Sequence, residues 1–227
     1  QMAKIELIAT AAFGLEAVVA EELRKLGYTD LRVENGKVTF IGDEAAICRC
    51  NLWLRTADRL LLKMGEFSAT SFAELFEQTK ALPWSDLIPE NGVFPVAKAK
   101  SVKSKLFSLS DSQAIVKKAV VEQLKQKYQT KWFAETGPLY AIQVSILKDV
   151  VTLTIDTSGP GLHKRGYREM AGEAPLKETL AAALVLLSRW QPDQILMDPL
   201  CGSGTIPIEA ALIGKNIAPG LGRQFAA

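Results

Sequence analysis

Ile195-Leu196-Met197-Asp198-Pro199-Leu200-Cys201-Gly202-Ser203-Gly204-Thr205-Ile206 is the stretch that decides the fold. Three apolar residues lead to a carboxylate, and the two glycines then allow a tight turn in which the backbone can approach a ligand without a Cβ in the way. A helix is expected from Thr205 to Leu212, where Pro207 is tolerated because it lies in the first turn. The pattern predicts a buried strand, a glycine turn and a helix, as at the opening of a doubly wound α/β sheet.

The chemistry of this turn favours a small zwitterionic ligand. The start of a helix offers free N–H groups to a carboxylate or phosphate, and Asp198 can accept hydrogen bonds from ammonium or hydroxyl groups. A dinucleotide-binding fingerprint needs a third glycine where Pro207 stands, and no P-loop sequence occurs, so NAD and a P-loop nucleotide are disfavoured. S-adenosylmethionine (SAM), which carries both an amine and a carboxylate, fits a carboxylate beside a glycine turn better than a pyrophosphate does.

A family resemblance strengthens this interpretation. The string Asp-Pro-x-Cys-Gly-Ser-Gly-Thr-x-x-Ile-Glu-Ala-Ala, from Asp198 to Ala211, resembles the SAM-binding motif of class I methyltransferases that carry a THUMP domain. Within them it is most similar to the large-subunit rRNA guanine-N2 methyltransferases, a group often labelled as N6-adenine-specific DNA methylases. The resemblance implies SAM as the cofactor, bound by Asp198, Pro199, Cys201, Gly202, Ser203, Gly204 and Thr205. Glu209 is left as either a compensator of the helix dipole or a residue that orients the loop.

Composition sets the outer bounds of the function. The chain has 227 residues and a formal net charge of +2, so any nucleic-acid site must be a local basic patch. Its three cysteines form neither a disulfide framework nor a zinc spacing, which predicts a reducing cytoplasm and no metal. The longest apolar run, Leu180 to Leu187, is too short to span a bilayer, and no signal peptide is recognisable, so no membrane partner is expected.

The order of patterns divides the chain into residues 1–67, 68–156 and 157–227. The first piece alternates as β-α-β-β-α-β, with an Asn35-Gly36 hairpin turn, and predicts a ferredoxin-like subdomain. Cys48 and Cys50 lie on its second helix and are expected to be small buried residues. The second piece is expected to contain a helix capped by Ser110 with Gln113, and a hairpin around Lys148-Asp149. The fold class is therefore an α+β N-terminal region followed by the start of a Rossmann-like methyltransferase domain.

A lysine-rich stretch in the second piece raises the question of RNA binding. Residues 98–107, which read Lys-Ala-Lys-Ser-Val-Lys-Ser-Lys-Leu-Phe, alternate lysine with serine and small apolar residues. By composition alone a solvated edge that discourages strand pairing is favoured over a row of phosphate contacts. However, the segment and its following helix resemble the core of a THUMP domain, a module of RNA-modifying enzymes that engages structured RNA. That resemblance implies phosphate contacts at Lys100, Lys103, Lys105, Lys117 and Lys118.

The third piece begins with a Gly/Pro-rich linker, Ser158-Gly159-Pro160-Gly161, followed by a basic segment. Arg165 and Arg168 in this segment are expected either to be solvated or to contact RNA phosphate, with neither favoured. In the methyltransferases that the chain resembles, the next helix helps to wall the SAM pocket, which makes Lys177, Glu178 and Thr179 second-rank cofactor residues. His163 has no assigned role, and no catalytic residue is predicted in this chain.

The sequence after Glu209 holds no further acid and no Asn/Asp-Pro-Pro-aromatic motif of the kind with which the family grips its target amine. We therefore expect the chain to lack part of its methyltransferase domain and to be inactive alone. Its last piece is expected to be a small satellite or to be held by swapping in a homodimer. The leading hypothesis is an RNA base methyltransferase that transfers a methyl group from SAM to an exocyclic amine, guanine N2 in 23S rRNA. The alternatives are a non-catalytic RNA-binding THUMP module and a DNA adenine-N6 methylase.

Overall fold

The computed structural model describes residues 4–167 and 175–226, and these residues divide into two compact units. The first unit contains the chain up to Leu61 together with residues 157–225, and the second contains residues 62–156. The third piece of the sequence therefore packs with the N-terminal subdomain of its own chain. Among the described residues, no helix is both long enough and apolar enough to cross a membrane.

The first unit opens with the predicted β-α-β-β-α-β order. Its elements are β1 (Ile5–Ala11), α1 (Glu16–Lys25), β2 (Leu31–Glu34), β3 (Lys37–Gly42), α2 (Glu44–Trp53) and β4 (Ala57–Ser68), whose last part belongs to the second unit. The strands lie in the order β2-β3-β1-β4, with β3 antiparallel to both of its neighbours. The Asn35-Gly36 hairpin is confirmed, and Gly36 has the positive φ of 77° that such a turn requires.

A side-chain cap marks the start of one helix of this unit, and both helices bury part of their surface. The Asp43 carboxylate accepts a hydrogen bond from the Ala46 N–H at 2.8 Å and caps α2. Helix α1 buries Val19, Ala20 and Leu23 along one face. Cys50 on α2 is buried as predicted, whereas Cys48 is exposed, because two positions along a helix place it on another side.

The second unit combines two helices with a sheet. Its elements are α3 (Phe72–Lys80), β5 (Val96–Val102), α4 (Leu109–Tyr128), β6 (Ile142–Leu147) and β7 (Val150–Asp156). The strands follow the order β4-β7-β6-β5, in which β5 is parallel to β6 and β6 is antiparallel to β7. Strand β5 therefore forms an edge of the sheet. Helix α4 buries a stripe formed by Val116, Ala119, Val120 and Leu124.

The predicted cap of α4 at Ser110 is wrong. The helix begins two residues earlier, and the Ser108 hydroxyl accepts from the Asp111 N–H at 3.4 Å while donating to the Asp111 carboxylate at 2.6 Å. Ser108 and Asp111 stand three residues apart, as Ser110 and Gln113 do. The Asp111 carboxylate in the first turn also interacts favourably with the positive end of the helix dipole, whereas the neutral amide of Gln113 does not.

Two further helices follow in the C-terminal part of the first unit. They are α5 (Glu178–Leu187) and α6 (Thr205–Gly214), which pack on each other. Helix α5 also contacts α1, so the two C-terminal helices rest on the N-terminal subdomain. The second of them, α6, is the helix that the glycine motif predicted.

Candidate functional site

The glycine motif forms an open turn at the start of α6. Gly202 and Gly204 have φ values of 53° and 76°, in the left-handed region that favours glycine. The Gly204 N–H donates to the Cys201 carbonyl at 2.8 Å, and the Asp198 carboxylate accepts from the Leu200 N–H at 3.2 Å. Among the described residues, nothing lies within 4 Å of a Cβ built on Gly202, so the outer side of the turn has room for a ligand.

The other predicted cofactor residues of the motif differ in exposure. Pro199, Cys201 and Ser203 are exposed in the turn, whereas Thr205 is buried as the first residue of α6. The hydroxyl oxygens of Ser203 and Thr205 lie 3.3 Å apart. Gly204 precedes α6 without a side-chain cap. The partly exposed Asp198 carboxylate and the backbone groups of the turn therefore lie together at the start of a helix.

The strand predicted ahead of the turn is wrong. Residues 195–198 have no regular secondary structure, and Ile195 and Met197 are 93% and 82% exposed. An apolar strand of a parallel sheet is stabilised by strands on both sides. Among the described residues, no strand follows Asp156, so this segment has no neighbour within its own part of the chain.

Glu209, one turn into α6, belongs to a buried ion pair. Its side chain is fully buried, and its Oε1 lies 3.3 Å from Nε of Arg165, whose side chain is 2% exposed. The Tyr167 hydroxyl donates to the same oxygen at 2.8 Å. Burial and the negative charge of Glu209 raise the pKa of Tyr167 above its usual range, so the phenol remains a donor at any physiological pH.

Both interpretations of Arg165 were therefore wrong. The guanidinium is neither solvated nor open to phosphate, because it also donates to the carbonyl of Leu162 at 2.6 Å and to that of Arg55. A lone arginine in a basic linker gives no sign in the sequence that its partner lies 44 residues later. Arg168, the other arginine proposed for RNA contact, lies outside the described residues.

A second arginine extends the cluster toward α1. Arg55 is 8% exposed, and its Nη2 donates to the Ile217 carbonyl at 2.9 Å, just after α6 ends. Its backbone N–H and that of Thr56 donate to the Glu22 carboxylate at 2.8 and 3.0 Å. Burial lowers the pKa of Arg55 and raises that of Glu22. The sequence analysis missed Glu22 and Arg55 because only the folded chain brings them together.

The second-rank cofactor residues lie at the start of α5. Lys177 is exposed at the position before the helix, whereas Glu178 and Thr179 are 5% and 3% exposed. The negative charge of Glu178 also raises the pKa of Tyr167, whose hydroxyl donates to Glu209. The start of α5 therefore lies near the buried cluster. Their contact with a cofactor stays a prediction.

The lysine-rich surface, defined as Lys100, Lys103, Lys105 and Lys118, is exposed on the second unit. Lys100 lies on the edge strand β5, and Lys103 and Lys105 follow in the loop, where the Lys105 N–H donates to Asp149 at 2.7 Å. Lys118 lies on α4, where its Nζ is 5.7 Å from the centre of the Phe76 ring of α3. Each of these four ammonium groups is exposed and can contact a phosphate.

Lys117 does not belong to this surface, which corrects its proposed role. Its Nζ donates to the Glu135 carboxylate at 2.9 Å and to the Phe94 carbonyl at 3.0 Å. It also lies 3.5 Å from the centre of the Phe94 ring. The ammonium is thus held by groups of the same unit, and phosphate would have to displace them.

Comparison with known proteins identifies three successive regions. Residues 6–61 match the RlmL ferredoxin-like domain, residues 69–156 match the THUMP domain, and residues 165–227 match the RMKL-like methyltransferase domain. The α+β class with a ferredoxin-like and a THUMP region is thereby confirmed. The methyltransferase assignment of the last region rests on the family match rather than on a strand in the structure.

Individual relatives agree with these matches. The chain is 60% identical over 226 residues to the "Putative RNA methyltransferase YpsC" of Bacillus subtilis (strain 168). It is 62% identical, with a TM-score of 0.95, to a solved "predicted N6-adenine-specific DNA methylase" from Listeria monocytogenes str. 4b F2365, covering 99% of this chain and 59% of that one. A solved structure of SMU.472, "a putative methyltransferase complexed with SAH", is 52% identical with a TM-score of 0.94, covering 100% and 60%. The alignment with YpsC covers 99% of this chain and 58% of that protein.

Proposed function

We propose, from a chain that combines an RlmL ferredoxin-like domain, a THUMP domain and a stretch of an RMKL-like methyltransferase domain, that the protein takes part in SAM-dependent methylation of RNA. The observation that carries the proposal is the complete Asp-Pro-x-Cys-Gly-Ser-Gly-Thr string on an open glycine turn at the start of α6. SMU.472, which is 52% identical to this chain and described as "a putative methyltransferase complexed with SAH", supports this choice of cofactor.

The residues present fit the cofactor on its amino-acid side. The turn at Gly202 and Gly204 is open, so the cofactor can approach its backbone closely, and the N–H groups at the start of α6 suit a carboxylate. Asp198, which is partly exposed beside them, can accept from an ammonium or hydroxyl group. When bound, SAM supplies a methyl group activated by its sulfonium. The chain's own part is to bind and orient that molecule.

The THUMP domain would present RNA to the methyltransferase domain. The lysine-rich surface supports this role, because ammonium groups on an exposed edge can contact phosphates without reading a base. The target would be an exocyclic amine, which would displace S-adenosylhomocysteine from the methyl group directly and then release a proton, so that the enzyme needs no covalent catalyst of its own. The motif's resemblance to the large-subunit rRNA group favours guanine N2 in 23S rRNA. We place the reaction in the cytoplasm, which suits three free cysteines.

Cofactor binding is the first test. We expect the full-length protein to bind S-adenosylhomocysteine in calorimetry, and Asp198→Ala to weaken that binding by about a hundredfold, because a charged hydrogen-bond acceptor is lost. Asp193→Ala, which removes an exposed carboxylate five residues earlier, is the matched control and should bind as the wild type does. Full affinity in Asp198→Ala would remove this residue from the site.

The substrate is the second test. We expect the full-length protein to transfer labelled methyl groups to rRNA taken from cells that lack the gene, and mass spectrometry should identify N2-methylguanosine. A second candidate, DNA adenine-N6 methylation, is favoured by the name of the Listeria relative alone. Methylation of duplex DNA but not rRNA would support that candidate. Tight RNA binding without any methyl transfer by the full-length protein would instead support a non-catalytic binding module.

A further inference from the structure

Two buried arginines tie the middle of α6 and the segment just after it to the N-terminal subdomain. One turn into the helix, the Glu209 carboxylate pairs with the guanidinium of Arg165 and accepts a hydrogen bond from the hydroxyl of Tyr167. Just after the end of the helix, the carbonyl of Ile217 accepts a hydrogen bond from the guanidinium of Arg55. These contacts join groups from three separate parts of the chain, so they fix the axial position and the rotation of α6 as well as its proximity.

Arg165 is itself held rigidly. Its Nη1 donates to the Leu162 carbonyl at 2.6 Å, its Nη2 donates to the Arg55 carbonyl, and Nε faces Glu209. A planar guanidinium that serves three fixed acceptors has one orientation, and a lysine in its place could not reproduce this fork. The position of Glu209 is therefore tied to the backbone that follows α2.

Among the described residues, the hydrogen bonds that shape the glycine turn are local, in contrast. Gly204 lacks a side-chain cap, Gly202 is exposed, and the turn is closed by the short-range bonds from Gly204 to Cys201 and from Leu200 to Asp198. The Ile208 N–H donates to the Gly204 carbonyl at 3.0 Å, which makes the turn continuous with the first turn of α6. The place of the turn in the unit is thus set largely by the helix that Glu209 anchors.

We propose that Arg165 and Glu209, completed by Tyr167, form a positioning pair that sets the glycine turn for the cofactor. The inference rests on the proposed function, since it assigns residues that act on cofactor affinity without touching the cofactor. The ferredoxin-like subdomain then has a role in cofactor binding. Through the backbone carbonyl of Arg55, it completes the site that binds SAM. A site held in this way loses affinity when its supporting contacts are loosened.

The test uses the full-length protein and S-adenosylhomocysteine as the probe. Glu209→Gln keeps the shape of the side chain but removes the charge that Arg165 needs, and we expect about tenfold weaker binding in calorimetry. Glu21→Gln is the matched control, because it breaks an ion pair with Arg24 in which both side chains are more than half exposed. It should leave the affinity unchanged. Amide hydrogen exchange without ligand should be faster at residues 202–208 in Glu209→Gln alone.

A double variant separates positioning from stability. Arg165→Met with Glu209→Met removes both charges, so we expect the free energy of unfolding to recover toward the wild-type value relative to either single variant. Because apolar contacts lack the direction of a guanidinium fork, the affinity should stay reduced. If both quantities recovered together, the pair would act on stability alone and the inference would be overturned.

The remaining outcomes are also decisive. If Glu209→Gln does not fold, Tyr167→Phe, which removes one hydroxyl, should still weaken binding by about threefold. Wild-type affinity in a folded Glu209→Gln or Tyr167→Phe would overturn the inference while leaving the proposed function standing. A wild-type protein that binds no S-adenosylhomocysteine would overturn both.

Discussion

Nε of Arg165 lies 3.3 Å from Oε1 of Glu209, and these two side chains, 44 residues apart in the sequence, are 2% and 0% exposed. A buried pair of this kind contributes little net stability compared with a well-packed apolar pair, but removing one partner leaves the other charge uncompensated. The relationship therefore makes a strong prediction for single substitutions.

Arg165→Met should destabilise the protein by about 3–5 kcal/mol, because Glu209 would remain buried without its cation. Urea unfolding followed by circular dichroism measures this change. Arg24→Met, which breaks the exposed pair with Glu21, should change the free energy of unfolding by less than about 0.5 kcal/mol. Equal effects of the two substitutions would show that the pair is not buried in solution.

The lysine-rich surface should determine how RNA binding depends on salt. Changing Lys100, Lys103 and Lys105 together to alanine should lower the slope of log K against log salt concentration by about 2 to 3, since each phosphate contact releases nearly one counterion. Filter binding of an rRNA fragment at several salt concentrations measures the slope. An unchanged slope would exclude these lysines from the RNA interface.

Lys117 should behave differently from that surface. Its ammonium is held by Glu135 and Phe94, so Lys117→Ala should lower the thermal stability of the THUMP domain while leaving the salt dependence of RNA binding unchanged. The same filter-binding series, combined with thermal melting, tests both halves of this expectation. A slope reduced by about one with no loss of stability would return Lys117 to the RNA contacts.

The three cysteines should react at different rates. Burial raises the pKa of the Cys50 thiol to about 12, so at pH 8 almost none of it is the reactive thiolate, whereas Cys48 and Cys201 are exposed. Peptide mapping after treatment with a thiol reagent should therefore find Cys48 and Cys201 modified in the native protein, and Cys50 modified as well in denaturant. Rapid modification of all three without denaturant would contradict the burial of Cys50.

Gly220 should not tolerate a side chain. A Cβ at this position would lie 2.8 Å from Cα of Leu52 and 2.9 Å from the carbonyl oxygens of Asn51 and Leu52, which are backbone atoms. Gly220→Ala should therefore destabilise the first unit by about 1–3 kcal/mol. Gly14→Ala is a control without such contacts, although its φ of 90° carries a backbone cost of its own. Urea unfolding should show the larger effect at Gly220 if the close approach decides the outcome.

Local signals predicted much of the fold. The Asn35-Gly36 hairpin depends on residues within a few positions of one another, and its prediction was confirmed. The Asp43 cap of α2 and the buried stripe of α4 are local features of the same kind. The glycine turn before α6 belongs to the same class, because positive φ at a Gly-x-Gly pair follows from local sterics.

Features that depend on distant partners could not be predicted in this way. The strand at Ile195–Met197 needs neighbouring strands, and the described residues contain none after Asp156. Arg165 was expected at the surface because nothing near it in the sequence indicates Glu209. The start of α4 was predicted wrongly because Ser108 and Ser110 are both suitable capping residues. Only the hydrogen bonds between Ser108 and Asp111 decide between them.

The bond from Arg55 to the carbonyl of Ile217 has a practical consequence for protein engineering. A chimaera that exchanges residues 205–225 for those of a relative would import a new helix into a socket built by the host's residues 55 and 165. Grafts that carry both arginines with the helix should yield soluble hybrid proteins more often than grafts cut at residue 204. The part to exchange is therefore the helix together with the residues that contact it, rather than a segment cut at a single position.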